Sequence, residues 1–297
     1  MANTGMGGGF GPDGGPQSGP GSAEYWQAMA DSAERETRRR RLLRIVAVVT
    51  GVVLLGGGAT ALVLANSGDG KSPRAQQSSS APTPEPATVT PKLTLGPSAT
   101  LGATAGRDGQ SLLLAGTPQG YAESDAGTVD TGADFTVSAL VRLDVDTVPK
   151  VALSQNNDKF FSFYLGRDDA SDRLRNRWVF RVQTEAAIGK SATAASTTEV
   201  VTGRWTLLTG VYNKSDGTIT LYVDGALAQT TEAPQVLAST GPLEFGRVRS
   251  SDLWVKPWKG ALADVRVWKK ALTAEQVAAL QGAGQGAPAP FARFVTP

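Results

Sequence analysis

Residues 215–231, SDGTITLYVDGALAQTT, decide how the rest of the chain is read. At period two, Ile219, Leu221 and Val223 point one way and Thr218, Thr220 and Tyr222 the other. That is the alternation of a half-buried strand. SDG precedes the run and DG follows it, and Gly217 and Gly225 supply the positive φ that tight hairpins need. The stretch therefore predicts a hairpin with Asp224 and Gly225 as turn formers. Taken alone it says nothing about function.

Other segments repeat the pattern. FTVSALVRLD sets Phe135, Val137, Ala139, Val141 and Leu143 on one face. RWVFRVQT sets Trp178, Phe180 and Val182 opposite Arg177 and Arg181. RWTLLTGVYN gives a looser face of Trp205, Leu207 and Val211, and ALADVRVW aligns Ala261, Ala263, Val265 and Val267 against Asp264 and Arg266. Many short strands separated by Gly- and Asp-rich turns predict an all-β antiparallel sandwich. No long 3.6-residue period between residues 100 and 270 supports a helical fold. One helix is predicted to close the domain, within LTAEQVAALQG. Thr273 and Gln276 make its capping box, Leu272 and Val277 its hydrophobic staple, and Gly282 its stop.

Composition excludes several chemistries. With Cys 0 there is no disulfide framework, thiol nucleophile or cysteine-bound metal. With His 0 there is no Ser-His-Asp triad, no histidine base and none of the usual zinc sites. A net charge of +2 argues against a nucleic-acid partner. Usage rich in Ala, Gly, Thr, Val and Arg matches a GC-rich bacterial genome.

The front of the chain divides into segments that cannot build a core. Residues 1–21 are glycine-rich with almost no apolar content, which predicts a disordered tail, with docking to a cytoplasmic partner as its functional alternative. Residues 22–44 predict a short basic juxtamembrane helix, capped by Ser22 and ending in RRRRLLR. Residues 45–65, IVAVVTGVVLLGGGATALVLA, carry no charge and are long enough to cross a bilayer, which takes about 20 residues. Six arginines (35, 38, 39, 40, 41 and 44) precede this segment, against only Lys71 and Arg74 shortly after it. The bias places the N-terminus in the cytoplasm and the rest outside. A cleavable signal peptide is the rival reading, since VLA before Asn66 resembles a processing site. The apolar run exceeds the usual ~7–15 residue core of such peptides, which favours an uncleaved anchor. Residues 66–96 are a Ser/Thr/Pro-rich tether, residues 97–284 the outer domain, and residues 285–297 a C-terminal tail.

Five segments in order carry a resemblance: GQSLLLAGTPQGYAESDAGTVDTGADFTVSALVRLD, SQNND, GRWTLLTGVYNKSDGTITLYVDGALAQTT, PLEFGRV and WKGALADVRVWKKALTAEQVAAL. Over roughly residues 100–283 the chain resembles the LamG-like jelly-roll domains of the concanavalin A-like lectin and glucanase superfamily. One departure is Leu140, where many relatives carry tryptophan. The resemblance implies two antiparallel sheets and a binding rather than catalytic role; fold alone does not name the ligand.

Three kinds of site are weighed on the residues. Glycoside hydrolysis needs two carboxylates ~5–9 Å apart. The glucanase relatives hold them as E-x-D-x-E, whereas YAESDAG offers Glu123 and Asp125 with Gly127 in the third place. Calcium would take oxygen ligands, and SQNNDK offers Gln155, Asn156, Asn157 and Asp158, with Asn157 and Asp158 the candidates, while GRDDASDR offers Asp168, Asp169 and Asp172. Interleaved Arg167, Arg173 and Arg175 neutralise the second group, so both clusters read first as solvated turns. Sugar recognition uses aromatic platforms beside a few polar groups, and SSDLWVKPWKG offers Trp254 with Asp252 and Lys256. Trp258, before Gly260, reads as core, as do Trp178, Trp205 and Trp268. The expectation is a membrane-anchored, non-catalytic surface module for a cell-wall glycan or an envelope protein. A structural or self-associating surface domain is the alternative, and a glycosidase the third reading.

Overall fold

The computed structural model describes residues 87–145, 147–148, 150–281 and 286–295. The glycine-rich tail, the basic segment, the apolar segment 45–65, most of the tether and Gly282 lie outside them. Among the described residues no helix is long and apolar enough to cross a membrane.

Strands are numbered along the chain, and two antiparallel sheets carry most of them. One has seven strands, in the order β1 (Leu93–Leu95), β4 (Ala122–Ser124), β13 (Leu243–Phe245), β6 (Lys150–Asn156), β7 (Phe161–Asp168), β8 (Arg177–Gln183) and β9 (Ser191–Glu199). The other runs β12 (Ala226–Glu232), β11 (Thr218–Val223), β10 (Trp205–Asn213), β5 (Phe135–Leu143), β16 (Lys259–Trp268), β3 (Ser111–Ala115) and β2 (Ala99–Gly102), with β17 (Ala292–Phe294) added to β16. This is the predicted jelly-roll sandwich. Its domain is longer at both ends than residues 97–284, because β1 pairs with β4 and β17 with β16.

The inner faces meet around Phe135. Its ring lies 5.1 Å from that of Phe163, 6.3 Å from Phe180 and 5.7 Å from Tyr212, so one side chain joins strands of both sheets. All five alternating residues of β5 are buried in this core. The opening hairpin forms as predicted: Ile219 and Leu221 are buried, and φ is 50° at Asp224 and 72° at Gly225, the two positive values of a type I′ turn. Asp224 also accepts the Leu207 N–H at 2.8 Å, tying the turn to the neighbouring strand.

Two strands depart from simple alternation. In β10 the residues facing the main core are Leu208 and Tyr212, while Leu207 and Val211 face outward into a second cluster with Tyr222, Trp268, Leu272, Val277 and Leu280. Trp205, expected in the core, is half-buried on that outer side, where its Nε1 donates to the Ala105 carbonyl at 3.1 Å. In β16 the register shifts between Ala263 and Arg266. Asp264 at the shift has φ 46°, so Leu262, Val265 and Val267 share the core face and Ala261 and Ala263 do not. A bulge of this kind adds one residue and reverses the phase.

The outer side of the eight-stranded sheet is covered by α1 (Ala274–Ala278) and the turn Ala279–Gln281. Both hydrogen bonds of the Thr273–Gln276 capping box are present, and Leu272 and Val277 are buried together. Trp258 is fully buried and stacked on Trp178 at 6.3 Å.

Gly260, two residues on, has φ 144°, and a Cβ there would lie 2.0 Å from the Arg142 carbonyl oxygen. Gly260→Ala is therefore expected to cost at least about 2 kcal/mol in urea unfolding followed by tryptophan fluorescence. A loss below about 0.5 kcal/mol would mean that β16 can draw away from β5 without penalty.

Candidate functional site

Alternation that fills the core sends every other residue of the seven-stranded sheet outward. Cross-strand register lines up Thr94, Glu123, Glu244, Ser154, Tyr164, Arg181 and Thr193 in one polar row across all seven strands. A short hairpin, β14 (Val248–Ser250) and β15 (Leu253–Val255), lies over part of this face. Its Val248 and Val255 pack with Val151, Tyr164, Ala170, Leu174, Val179 and Ala195.

Beneath the hairpin the row is buried and ionic. Asp168 has no exposed surface. It accepts the Tyr164 hydroxyl at 3.0 Å and pairs with Arg181 at 3.3 Å and Lys256 at 3.9 Å. Tyr164 in turn accepts from Lys256 Nζ at 3.1 Å and Arg181 Nη1 at 3.2 Å. Burial pushes the Asp168 carboxyl up, but Lys256, Arg181, the Asp169 N–H and Tyr164 overcome it and hold the pKa at about 2. The arrangement ties the hairpin's exit to the sheet.

Toward β4 the row opens. Arg247 donates from Nε to Glu244 at 2.8 Å and reaches Glu123 at 3.5 Å. Its guanidinium carbon lies 3.3 Å from the Tyr121 ring centre and 3.7 Å from that of Trp254. Arg247 is thus held between two rings, each contact worth ~0.5–2 kcal/mol. Tyr121, Glu123 and Trp254 are half-buried, whereas Glu244 is 2% exposed. Burial is the main reason the Glu244 pKa is pushed up to about 7; Arg247 opposes the shift, and the hydrogen-bonded Glu123 carboxyl adds to it.

The residues singled out in the sequence are distributed unevenly around this centre. Trp254 stands in it, on β15. Asp252 is exposed at the tip of the hairpin, near Arg249 at 3.5 Å and Lys159 at 3.9 Å. Lys256, expected beside the platform, is instead buried on Asp168 and Tyr164. The acidic groups do not converge. Asp169 pairs with Arg167 at 2.8 Å, and exposed Asp172 with Arg175 at 2.6 Å. Asn157 donates to the Ala238 carbonyl at 2.9 Å, and Asp158 is exposed. Among the described residues no three Asp or Glu side chains are grouped for a metal ion. The solvated-turn reading fails for Asp168, which ends a buried strand. It fails also for Gln155, whose amide nitrogen sits within 3.0–3.2 Å of the Val129, Ser239 and Gly241 carbonyls. Tyr121, Tyr164, Glu244 and Arg247 were not singled out in the sequence. Only the outward phase of their strands could have pointed to Tyr164 and Glu244; Tyr121 and Arg247 lie just outside the strands and carry no such signal.

Asp168→Asn keeps the shape and leaves Lys256 and Arg181 without their counter-charge, so it is expected to lose about 3–5 kcal/mol at neutral pH by urea titration. Glu244 behaves oppositely with pH. Its raised pKa means the folded state binds the proton more tightly, so its contribution is complete below about 4.5 and lost as pH rises through about 7. Wild type should therefore lose stability relative to Glu244→Gln across that window, measured by unfolding at a series of pH values.

A comparison of the sequence with curated proteins gives no match. Among solved structures, domain 4 of AbnA, a GH43 extracellular arabinanase from Geobacillus stearothermophilus solved with arabinotriose, is 18% identical with TM-score 0.49 over 64% of this chain and 87% of that one. The binding domain of Paraclostridial Mosquitocidal Protein 1 is 13% identical, TM-score 0.48, over 65% of this chain. The match spans 47% of that chain, less than half its length. A heptameric SAP-like pentraxin from Limulus polyphemus is 16% identical, TM-score 0.46, over 57% of this chain and 78% of that one. The family model described as concanavalin A-like lectin/glucanases matches residues 115–278, more than half of the sequence, and the chain belongs to that superfamily.

Proposed function

We propose that this domain is a non-catalytic binding module that recognises a glycan at the bacterial cell surface, held there by residues 45–65 as a single membrane-spanning anchor with the N-terminus inside. The tether places the domain away from the bilayer, within reach of wall polymers. The observation that carries the reading is the Tyr121–Arg247–Trp254 stack beside Glu123. Sugar rings bind through apolar C–H faces laid on aromatic rings and through hydroxyls bonded to a few charged groups. Here the rings are fixed by Arg247 before any ligand arrives, which removes part of the ordering cost of binding.

The carboxylates favour binding over hydrolysis. Glu123 and Glu244 are cross-strand partners on neighbouring strands, side by side on one face rather than placed on opposite sides of a gap that could hold a glycosidic bond between an acid and its partner. Both also contact Arg247, which occupies the space beside them.

The test is a glycan array probed with the full chain in mild detergent. Binding is expected, and Trp254→Ala is expected to weaken it at least tenfold while shifting the melting temperature by only a few degrees. Unchanged affinity in Trp254→Ala would move the site elsewhere. An empty array with one envelope protein enriched in a pull-down would replace the glycan by a protein partner. Hydrolysis of a β-glucan abolished by Glu123→Gln would contradict the non-catalytic reading.

A further inference from the structure

A second charged group lies inside the sandwich, on the inner face of the seven-stranded sheet. Register sets Lys150, the first residue of β6, opposite Arg167 of β7, and Arg167 opposite Trp178 of β8. Leu165 and Phe180, two residues along from Arg167 and Trp178, are in the main core, so the row shares their inward side. Lys150 is 6% exposed and Arg167 3% exposed.

Charge and hydrogen bonding are both incomplete here. Arg167 donates from Nε to Asn176 at 3.0 Å and pairs through Nη2 with Asp169 at 2.8 Å. Its Nη1 is buried with no partner among the described residues. No described carboxylate forms an ion pair with Lys150, and the Lys259 charge is close enough to act on it. Asp144, at the same end of the sandwich, is paired with Arg142 at 3.6 Å. Among the described residues, the two buried cations Lys150 and Arg167 are therefore matched by the single carboxylate of Asp169. Burying an unpaired ammonium or guanidinium donor costs several kcal/mol unless a counter-charge accompanies it.

We infer that Lys150 and Arg167 form a binding site for a small oxyanion, which would accept hydrogen bonds from Arg167 Nη1 and Lys150 Nζ at the rim of the sandwich. A planar carboxylate or a tetrahedral phosphate satisfies the same two donors. The ligand is therefore either a free inorganic ion or the acidic group of a uronic sugar. Desolvation by burial, together with the charges of Arg167 and Lys259, lowers the Lys150 pKa, and a bound anion would oppose that shift.

The full chain is melted in sodium phosphate and in sodium chloride at matched ionic strength, then in glucuronate and in glucose. Phosphate at a hundredfold excess over its dissociation constant should raise the midpoint by several degrees, chloride not. A rise with glucuronate exceeding that with phosphate assigns the site to an acidic sugar, and the reverse assigns it to the free ion. Lys150→Met should abolish the oxyanion response, with Lys150→Gln as a second variant should the first not fold, and Trp254→Ala should keep it. The proposal is overturned if neither oxyanion raises the midpoint, or if the rise survives in both Lys150 variants. The retained response of Trp254→Ala separates this outcome from failure of the glycan site.

Discussion

The contact of Phe135 with Phe163, Phe180 and Tyr212 is what the rest of the molecule depends on, because it holds the two sheets face to face. Truncating a buried phenylalanine in such a centre costs about 3–5 kcal/mol. Once these rings point inward, strand geometry leaves no choice for their neighbours. The polar residues between them must line the other face, which is how Glu123, Glu244, Ser154, Tyr164 and Arg181 become adjacent. Glu123 and Glu244 are far apart along the chain, and the pairing of β4 with β13 brings them together.

The row divides into two regimes by cover. Under the β14–β15 hairpin, charges are buried and mutually compensated, as Asp168 is by Arg181 and Lys256. Such a cluster contributes positional definition more than net stability. Nearer β4, Tyr121, Glu123 and Trp254 keep access to water while Glu244 and Arg247 beneath them are buried, and the aromatic faces stand beside a carboxylate already oriented by Arg247. A buried lock next to an open, preordered surface suits recognition.

Much of the fold was legible in the residues. The 215–231 hairpin, the inward face of β5 and the capped helix all follow from local rules: alternation, the conformational freedom of Gly225, and the Thr273–Gln276 box. What local pattern could not give was phase across an irregularity. The bulge at Asp264 flips β16, and the outward face of β10 is apolar because a helix covers it, so Leu207 resembles a core residue of the wrong face. The strands at Leu93–Leu95 and Ala292–Phe294 fell outside the expected limits because three-residue strands leave no periodic signal. The site was half legible. Trp254 stood out as an aromatic in a turn-rich stretch, but its partners Arg247 and Tyr121 come from connecting segments, and no spacing rule joins residue 121 to residue 254. Lys256 was misplaced because charge suggests exposure, whereas its partner Asp168 is buried with it.

The account rests on the outer-face rings being the part of the domain that meets a ligand. Indole N–H resonances report this directly, because Trp254 belongs to that face while Trp178, Trp258 and Trp268 are buried. In a titration of the 15N-labelled protein with soluble cell-wall glycan fragments, the Trp254 signal should shift in a saturable way while those of Trp178, Trp258 and Trp268 stay fixed. A stationary Trp254 alongside moving signals from the buried tryptophans would contradict it.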